Sequence, residues 1–235
     1  MPRNYLAFDI EIAKDFPDIA DWRRHRPLGI TCAATLAADE PQARLWHGLD
    51  PGGGPADRMS RDEAAGLVEH LEAMVKKGYT IATWNGLGFD FEVLAEESGR
   101  TGACKRLARG HVDMMFHVFC ALGFPVGLDA AARGMRIPGK PEGMSGVLAP
   151  QMWAQGKRRE VLDYVAGDVR TTLELARAGD LTRTFHWITR RGQTKHLALP
   201  HGWLDVPSAL KLPEPDTSWM RQPTTRRQFT RWVDS

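Results

Sequence analysis

Apolar residues recur along this chain in two periods, and the change between the periods predicts its elements. Three short β-rich apolar runs come first. They lie near residues 5–11, 29–36 and 42–47. A helical period then begins at Ser60, where Ser60 and Glu63 form a capping box, and a strand follows at 79–84. Beyond that strand the pattern is mostly helical to residue 178, and this order of elements predicts an α/β protein.

Two acidic residues interrupt the first apolar run, YLAFDIEIA. In a strand the side chains at i and i+2 point to the same face, so Asp9 and Glu11 are expected side by side. Burying two uncompensated carboxylates is costly, and a divalent cation removes that cost. Hard oxygen ligands favour Mg²⁺ or Mn²⁺ over zinc. The alternative is an edge strand whose acids face water.

A third acid follows the later strand, in the stretch TIATWNGLGFDFEVLAEE. Asn85, Gly86 and Gly88 suit a tight turn, and a helix is predicted to begin near Phe89 or Asp90. Asp90 therefore comes at the C-terminal end of a strand, where α/β proteins collect their functional residues. The alternative is that Asp90 only stabilises the first turn of its helix.

A long helical pattern, KRREVLDYVAGDVRTTLELARAG, carries the last acid. Tyr164 and Asp168 are one turn apart and point the same way, at the border of the apolar stripe. Gly179 is expected to end the helix. The alternative for Tyr164 and Asp168 is a simple hydrogen bond on the helix surface. The stripe consists of Val161, Val165, Thr172 and Ala176.

Asp113 begins another apolar stretch, DMMFHVFC. Its position before this stretch predicts that it caps a buried helix. We therefore do not include it among the expected metal ligands.

Together these motifs are far more specific than each is alone. The order of DxE on the first strand, NGxxFD after a later strand and YxxxD on a late helix resembles the DEDD superfamily of 3′ to 5′ exonucleases, tyrosine subclass. It is most similar to the proofreading-exonuclease family related to B-family DNA polymerases and the free-standing predicted exonucleases grouped with it. The family has counterparts, at similar places, of three further stretches, HVDMM, GLDAAARGM and GKPEGMSG. The resemblance covers about residues 5 to 178. In the histidine subclass a histidine lies five residues before the last aspartate, where this chain has Asp163.

The resemblance implies a ribonuclease H-like α/β fold with a central mixed sheet flanked by helices. It implies that Asp9, Glu11, Asp90 and Asp168 hold two divalent ions, Mg²⁺ or Mn²⁺, and that Tyr164 positions the attacking water. The expected substrate is the 3′ end of a single-stranded nucleic acid, DNA or RNA, and the expected product is a nucleoside 5′-monophosphate. Alternatives are an inactive nucleic-acid-binding module on the same fold, and an endonuclease of the same fold class.

Five further residues are candidates for contact with nucleic acid. Asn85 and Phe89 adjoin Asp90 in the NGxxFD motif. Arg23 and Arg24 belong to the basic cluster DWRRHRP, and Lys140 lies in the GKPEGMSG loop. The alternative for these basic residues is an ordinary exposed loop.

The chain is predicted to divide into an exonuclease domain, 1–180, and a basic, tryptophan-rich C-terminal extension, 181–235. The extension has nine Lys or Arg against four Asp or Glu. Its aromatic and basic residues could bind single-stranded nucleic acid, but we favour tryptophans that pack on the domain. A hairpin is predicted to turn near Arg191 and Gly192. The four tryptophans are Trp187, Trp203, Trp219 and Trp232.

Composition adds a few limits. The 235-residue chain has a net charge of +2, and its three cysteines are widely spaced, which suggests neither a disulfide framework nor a zinc site. No apolar run approaches the length of a membrane span, and no signal segment is recognised at the start. We therefore expect a cytoplasmic protein without membrane contact.

Overall fold

A five-stranded mixed sheet forms the centre of the computed structural model, which describes the chain except residues 1–2, 17–18 and 139–145. The strands are β1 (Tyr5–Ile12), β2 (Ile30–Ala37), β3 (Arg44–His47), β4 (Thr80–Thr83) and β5 (Val112–Asp113). They run in the order β3-β2-β1-β4-β5. β1 pairs antiparallel with β2 and parallel with β4. The four predicted strands are confirmed, whereas β5, with only two residues, is too short to leave a sequence pattern.

Helices flank the sheet and fill most of the later chain. They are α1 (Arg61–Lys76), α2 (Asp90–Ser98), α3 (Thr101–Gly110), α4 (Met114–Leu122), α5 (Leu128–Met135), α6 (Ala149–Ala154), α7 (Arg158–Thr182), α8 (Val206–Ala209) and α9 (Arg227–Asp234). Ser60 and Glu63 make both hydrogen bonds of the predicted capping box at the start of α1. The basic cluster DWRRHRP, predicted as a loop, instead includes part of a 3-10 helix, Ile19–His25.

The alternation of β1 divides the core into two halves. Leu6, Phe8 and Ile10 pack in the half that includes residues of α1 and α2. Tyr5 and Ala7 point to the other face, into the half that includes the apolar stripe of α7. Because side chains alternate along a strand, Asp9 and Glu11 continue the face that α7 covers.

Helix α7 continues past Gly179, so the predicted end of this helix is wrong. It ends at Thr182, and Arg183 follows in a left-handed conformation. A Cβ on Gly179 would lie 2.3 Å from Nε1 of Trp203, and this indole N–H donates a hydrogen bond to the carbonyl of Leu175. The glycine therefore makes room for a tryptophan of the extension instead of stopping the helix.

The predicted hairpin is confirmed as β6 (Thr184–Ile188) and β7 (Thr194–Ala198), which turn with Gly192 at φ +75°. Three of the four tryptophans of the extension are buried, as the packing interpretation predicts, whereas Trp219 is 67% exposed. Trp203 shares its half of the core with Tyr5 and Ala7. The domain boundary after residue 180 stays a prediction.

Two other sequence expectations concern cysteines and membranes. The three cysteines are buried as free thiols. Within the part of the chain that the structure describes, no helix has the length and apolarity needed to cross a bilayer.

Candidate metal centre

Three carboxylates from two distant segments meet between β1 and α7. One oxygen each from Asp9, Glu11 and Asp168 lies within 4.8 Å of the other two. Glu11 and Asp168 are 6% and 5% exposed. The i, i+2 spacing on β1 and the packing of α7 across that strand bring the three together. The side-by-side placement of Asp9 and Glu11 and the inward direction of Asp168 agree with the sequence analysis.

Tyr164 lies beside this cluster, one turn before Asp168 on α7, and is 3% exposed. Burial raises the pKa of its hydroxyl, and the charges of Asp168, Glu11 and Asp9 raise it further. The hydroxyl and Asp168 are hydrogen-bonded. A Cβ built on Gly146 would lie 3.8 Å from this hydroxyl and 3.9 Å from Oε2 of Glu11, so the backbone at Gly146 comes close to the cluster.

Asp90 binds the backbone of β1 next to the cluster. Its Oδ1 accepts a hydrogen bond from the backbone N–H of Ile10 at 3.1 Å. The parallel pairing of β1 with β4 ends at Ala7 and Ala82, so this carboxylate binds a strand N–H that β4 does not reach. Burial raises the pKa of Asp90 to about 7, against the hydrogen bond from Ile10. Asp90 is also hydrogen-bonded to Asp9, which makes it the neighbour of the three-carboxylate cluster.

The chemistry of these side chains fits divalent cations that prefer oxygen. The cluster consists of carboxylates, and buried negative charges at this separation repel one another unless a cation or a proton compensates them. Mg²⁺ and Mn²⁺ prefer such ligands, whereas zinc in proteins favours sulfur and nitrogen. Asp9, Glu11 and Asp168 would hold such an ion, with Asp90 as the fourth carboxylate.

Asp113 caps α4, as predicted, by accepting the N–H of Phe116 at 3.0 Å. It also accepts the N–H groups of Asn85 and Leu87, at 3.0 and 2.8 Å, a role that the sequence analysis missed. Burial raises the pKa of Asp113 to about 6, although these N–H groups lower it. The second role could not be read from the chain, because it depends on β5 lying beside β4.

The candidate nucleic-acid contacts differ in their exposure and in the side chains that they bind. The guanidinium of Arg23 is bonded to Glu92, with Nε 3.0 Å from both carboxylate oxygens, whereas Arg24 is exposed. Phe89 is half-buried and meets the ring of Trp22 edge-on, with centroids 5.1 Å apart. Lys140 lies outside the described residues. Contact with nucleic acid stays a prediction for all five residues.

Comparison with known families adds one decisive observation. The profile of the RNase H superfamily matches residues 56–178, just over half of the chain. The chain belongs to the RNase H superfamily. The matched span includes Asp90, Tyr164 and Asp168, and the mixed sheet with its flanking helices is the RNase H-like fold that the sequence motifs predict.

A solved structure with this RNase H-like fold is that of the family B DNA polymerase from the hyperthermophilic archaeon Pyrobaculum calidifontis. The two chains are 22% identical, with a TM-score of 0.52 over 75% of this chain. The match covers 24% of the polymerase chain, so this protein corresponds to about a quarter of that enzyme. No curated protein sequence matches significantly. The resemblance to B-family polymerases thus extends to the structure, while the tyrosine subclass stays a prediction.

Proposed function

We propose that this protein is a metal-dependent nuclease that removes nucleotides from the 3′ end of single-stranded nucleic acid. The observation that carries the proposal is the meeting of Asp9, Glu11 and Asp168 within 4.8 Å, with Asp90 and Tyr164 against them. Membership of the RNase H superfamily and the structural similarity to a family B DNA polymerase support it. The direction of cleavage rests on the order of motifs in the sequence.

The reaction is hydrolysis of the last phosphodiester bond. A water oxygen forms a bond to phosphorus, the bond from phosphorus to the 3′ oxygen breaks, and that oxygen takes up a proton. The products are a nucleoside 5′-monophosphate and a chain shortened by one nucleotide. Divalent ions, when bound, activate the water and stabilise the leaving oxygen.

The protein's own side chains hold and orient the reacting groups. Asp9, Glu11, Asp90 and Asp168 would bind two ions, Mg²⁺ or Mn²⁺, through their carboxylate oxygens. The hydroxyl of Tyr164 lies beside Asp168 and Glu11, and we propose that it holds the attacking water through a hydrogen bond. We assign it this orienting role.

The nucleic-acid strand is proposed to contact Asn85, Phe89 and Arg24. Phe89 offers part of a ring face for a terminal base, and exposed Arg24 offers charge for a phosphate. Arg23 is bound to buried Glu92, so in this proposal it supports the site instead of contacting the strand.

The test is a cleavage assay with end-labelled single-stranded DNA and RNA in Mn²⁺, Mg²⁺ or EDTA. We expect stepwise loss from the 3′ end that needs metal and is abolished in Asp9→Ala and Asp168→Ala. Asp163→Ala, an exposed acid on the same helix as Asp168, is the matched control and should cleave normally. Binding without cleavage in every metal would overturn the proposal in favour of an inactive binding module. Cutting of a substrate blocked at its 3′ end would instead indicate an endonuclease.

A further inference from the structure

The turn between β4 and α2 consists of residues 85–88 and leads directly into Asp90. Side chains near the sheet accept hydrogen bonds from the backbone N–H groups of this turn. Asn85 has a left-handed backbone, with φ +79°, which is uncommon for a residue with a side chain. The N–H groups of Asn85 and Leu87 donate to Asp113. The N–H of Gly86 donates to Oγ1 of Thr83 at 3.1 Å. The turn is therefore held on its donor side by three hydrogen bonds.

The C-terminal helix α9 holds the other side of the same turn. Nε1 of Trp232 donates to the carbonyl oxygen of Leu87 at 2.7 Å, across 145 residues of sequence. Phe229, one turn earlier on α9, packs on Gly88, where a Cβ would lie 2.8 Å from its ring. Trp232 is 8% exposed, so its hydrogen bond to the turn is shielded from water.

Arg23 ties α9 to the turn a second time. Its guanidinium lies 3.5 Å from the carbonyl oxygen of Gly88 and 3.4 Å from that of Gln228. The same group is paired with Glu92 on α2, which is 4% exposed. The turn, the start of α2 and α9 thus meet around one ion pair between half-buried Arg23 and buried Glu92.

We propose that α9 is a clip that positions Asp90, and that Trp232 and Phe229 are positioning residues of the metal centre. The inference rests on the proposed function for the role of Asp90. Gly88 is two residues from Asp90, so a shift of the turn moves the carboxylate away from the Ile10 N–H that it binds. Repulsion among the buried carboxylates favours such a shift, and the clip opposes it.

If α9 only covered the core, substitutions in it would have different effects from those expected if it positions the turn. Loss of its contacts would lower stability and leave the folded protein with an unchanged metal site. Loss of a clip frees the turn and weakens metal binding, because groups that orient metal ligands commonly contribute tenfold or more to affinity or activity. The two roles can therefore be separated in full-length protein.

The experiment compares Trp232→Phe with Trp203→Phe. Both tryptophans belong to the extension, and each donates its indole N–H to a backbone carbonyl. Trp203 binds Leu175, two turns of α7 beyond Asp168, and serves as the matched control. The measurements are thermal unfolding in EDTA, Mn²⁺ binding by calorimetry, amide hydrogen exchange at Asn85 and Leu87, and the single-turnover cleavage rate.

We expect both variants to unfold at a lower temperature than the wild type. Only Trp232→Phe should speed exchange of the two amides, and it should weaken Mn²⁺ binding and slow cleavage, each by about tenfold. Equal exchange, Mn²⁺ affinity and cleavage rate in the two variants would overturn the clip. If Trp232→Phe does not fold, Phe229→Leu, which keeps an apolar contact on Gly88, should give smaller changes in the same direction, and unchanged values would overturn the clip.

The clip and the nuclease proposal fail in different ways. A wild-type protein that binds Mn²⁺ and does not cleave would contradict the nuclease. Amide exchange and Mn²⁺ binding would then still decide whether α9 holds the turn.

Discussion

The carboxylate of Asp90 accepts the backbone N–H of Ile10 at 3.1 Å, between the two acids of β1. The side chain of Asp90 thus binds an N–H of β1 beyond the point where the pairing of β1 with β4 ends, and it lies next to Asp9. The backbone of β1 and a proposed metal ligand are linked at this point, since a movement of α2 would break a strand hydrogen bond as well as displace Asp90. The arrangement suggests how the acceptor role and the charge of Asp90 can be tested separately.

Asp90→Asn keeps an oxygen that can accept the Ile10 N–H and removes the charge. We expect it to fold at least as stably as the wild type in EDTA and to lose cleavage activity by 100-fold or more, on the order of the effect of a positioned catalytic group. Asp90→Ala removes the acceptor too and should cost about 1–3 kcal/mol of unfolding free energy for the unsatisfied N–H. Chemical denaturation measures the difference, and equal stabilities of the two variants would contradict the acceptor role.

Divalent ions should stabilise the protein through the carboxylate cluster. At a hundredfold excess over the dissociation constant, binding adds about 2.7 kcal/mol to the unfolding free energy, which raises Tm by about 5–10 °C for a chain of this size. Thermal melts in Mn²⁺ and EDTA check this expectation. Asp168→Asn should abolish the shift and Asp163→Asn should keep it, so a shift retained in Asp168→Asn would place the ion elsewhere.

Tyr164→Phe removes only the hydroxyl beside Asp168 and Glu11. If this hydroxyl orients the attacking water, the single-turnover rate should fall about 100-fold, with little change in KM or in the Mn²⁺-induced rise of Tm. Single-turnover kinetics with end-labelled single-stranded DNA measure the effect. Cleavage at the wild-type rate would remove Tyr164 from the mechanism.

Truncation of Arg23 should mainly lower stability, whereas truncation of Arg24 should mainly weaken the binding of nucleic acid. Arg23→Ala leaves Glu92, only 4% exposed, with Arg26 as its remaining ion-pair partner, and we expect a loss of about 2 kcal/mol of unfolding free energy for the charge-assisted hydrogen bonds that are removed. Arg24→Ala should change stability by less than about 0.5 kcal/mol, raise KM and reduce the salt dependence of binding. Urea unfolding and binding measured at several salt concentrations separate the two. Unchanged binding in Arg24→Ala would exclude this contact.

Acid should destabilise the protein through His117. Burial, together with the smaller effect of the charge of Arg3, lowers the pKa of this histidine to about 4, while the ordinary value near 6.5 returns on unfolding. Below pH 6.5 the unfolded chain binds the proton first, so stability present at neutral pH is lost as pH falls toward 4. His117→Gln should reduce the loss between pH 7 and 5 by up to about 2 kcal/mol. Exposed His201→Gln is the control, and identical pH profiles for the two variants would contradict this prediction.

Residues close together in the sequence determine much of the fold and of the site. The strand period of β1 places Asp9 and Glu11 on one face, and the helical period of α7 places Tyr164 beside Asp168, because backbone geometry alone fixes these directions. The Ser60 capping box and the Asp113 cap are likewise local. Each depends on residues no more than four positions apart.

Other features depend on contacts between distant parts of the chain. Only the order of strands places Asp113 under the Asn85–Gly88 turn, and only the path of the extension places Trp232 on Leu87 and Trp203 against Gly179. Neighbours in three dimensions decide whether a glycine ends a helix or admits an indole, and whether Arg23 faces a strand of nucleic acid or a buried glutamate. The sequence by itself determined most of the elements and the directions of Asp9, Glu11 and Asp168. Packing between distant segments decided what holds the acids in place, because each such contact needs two surfaces that meet only after folding.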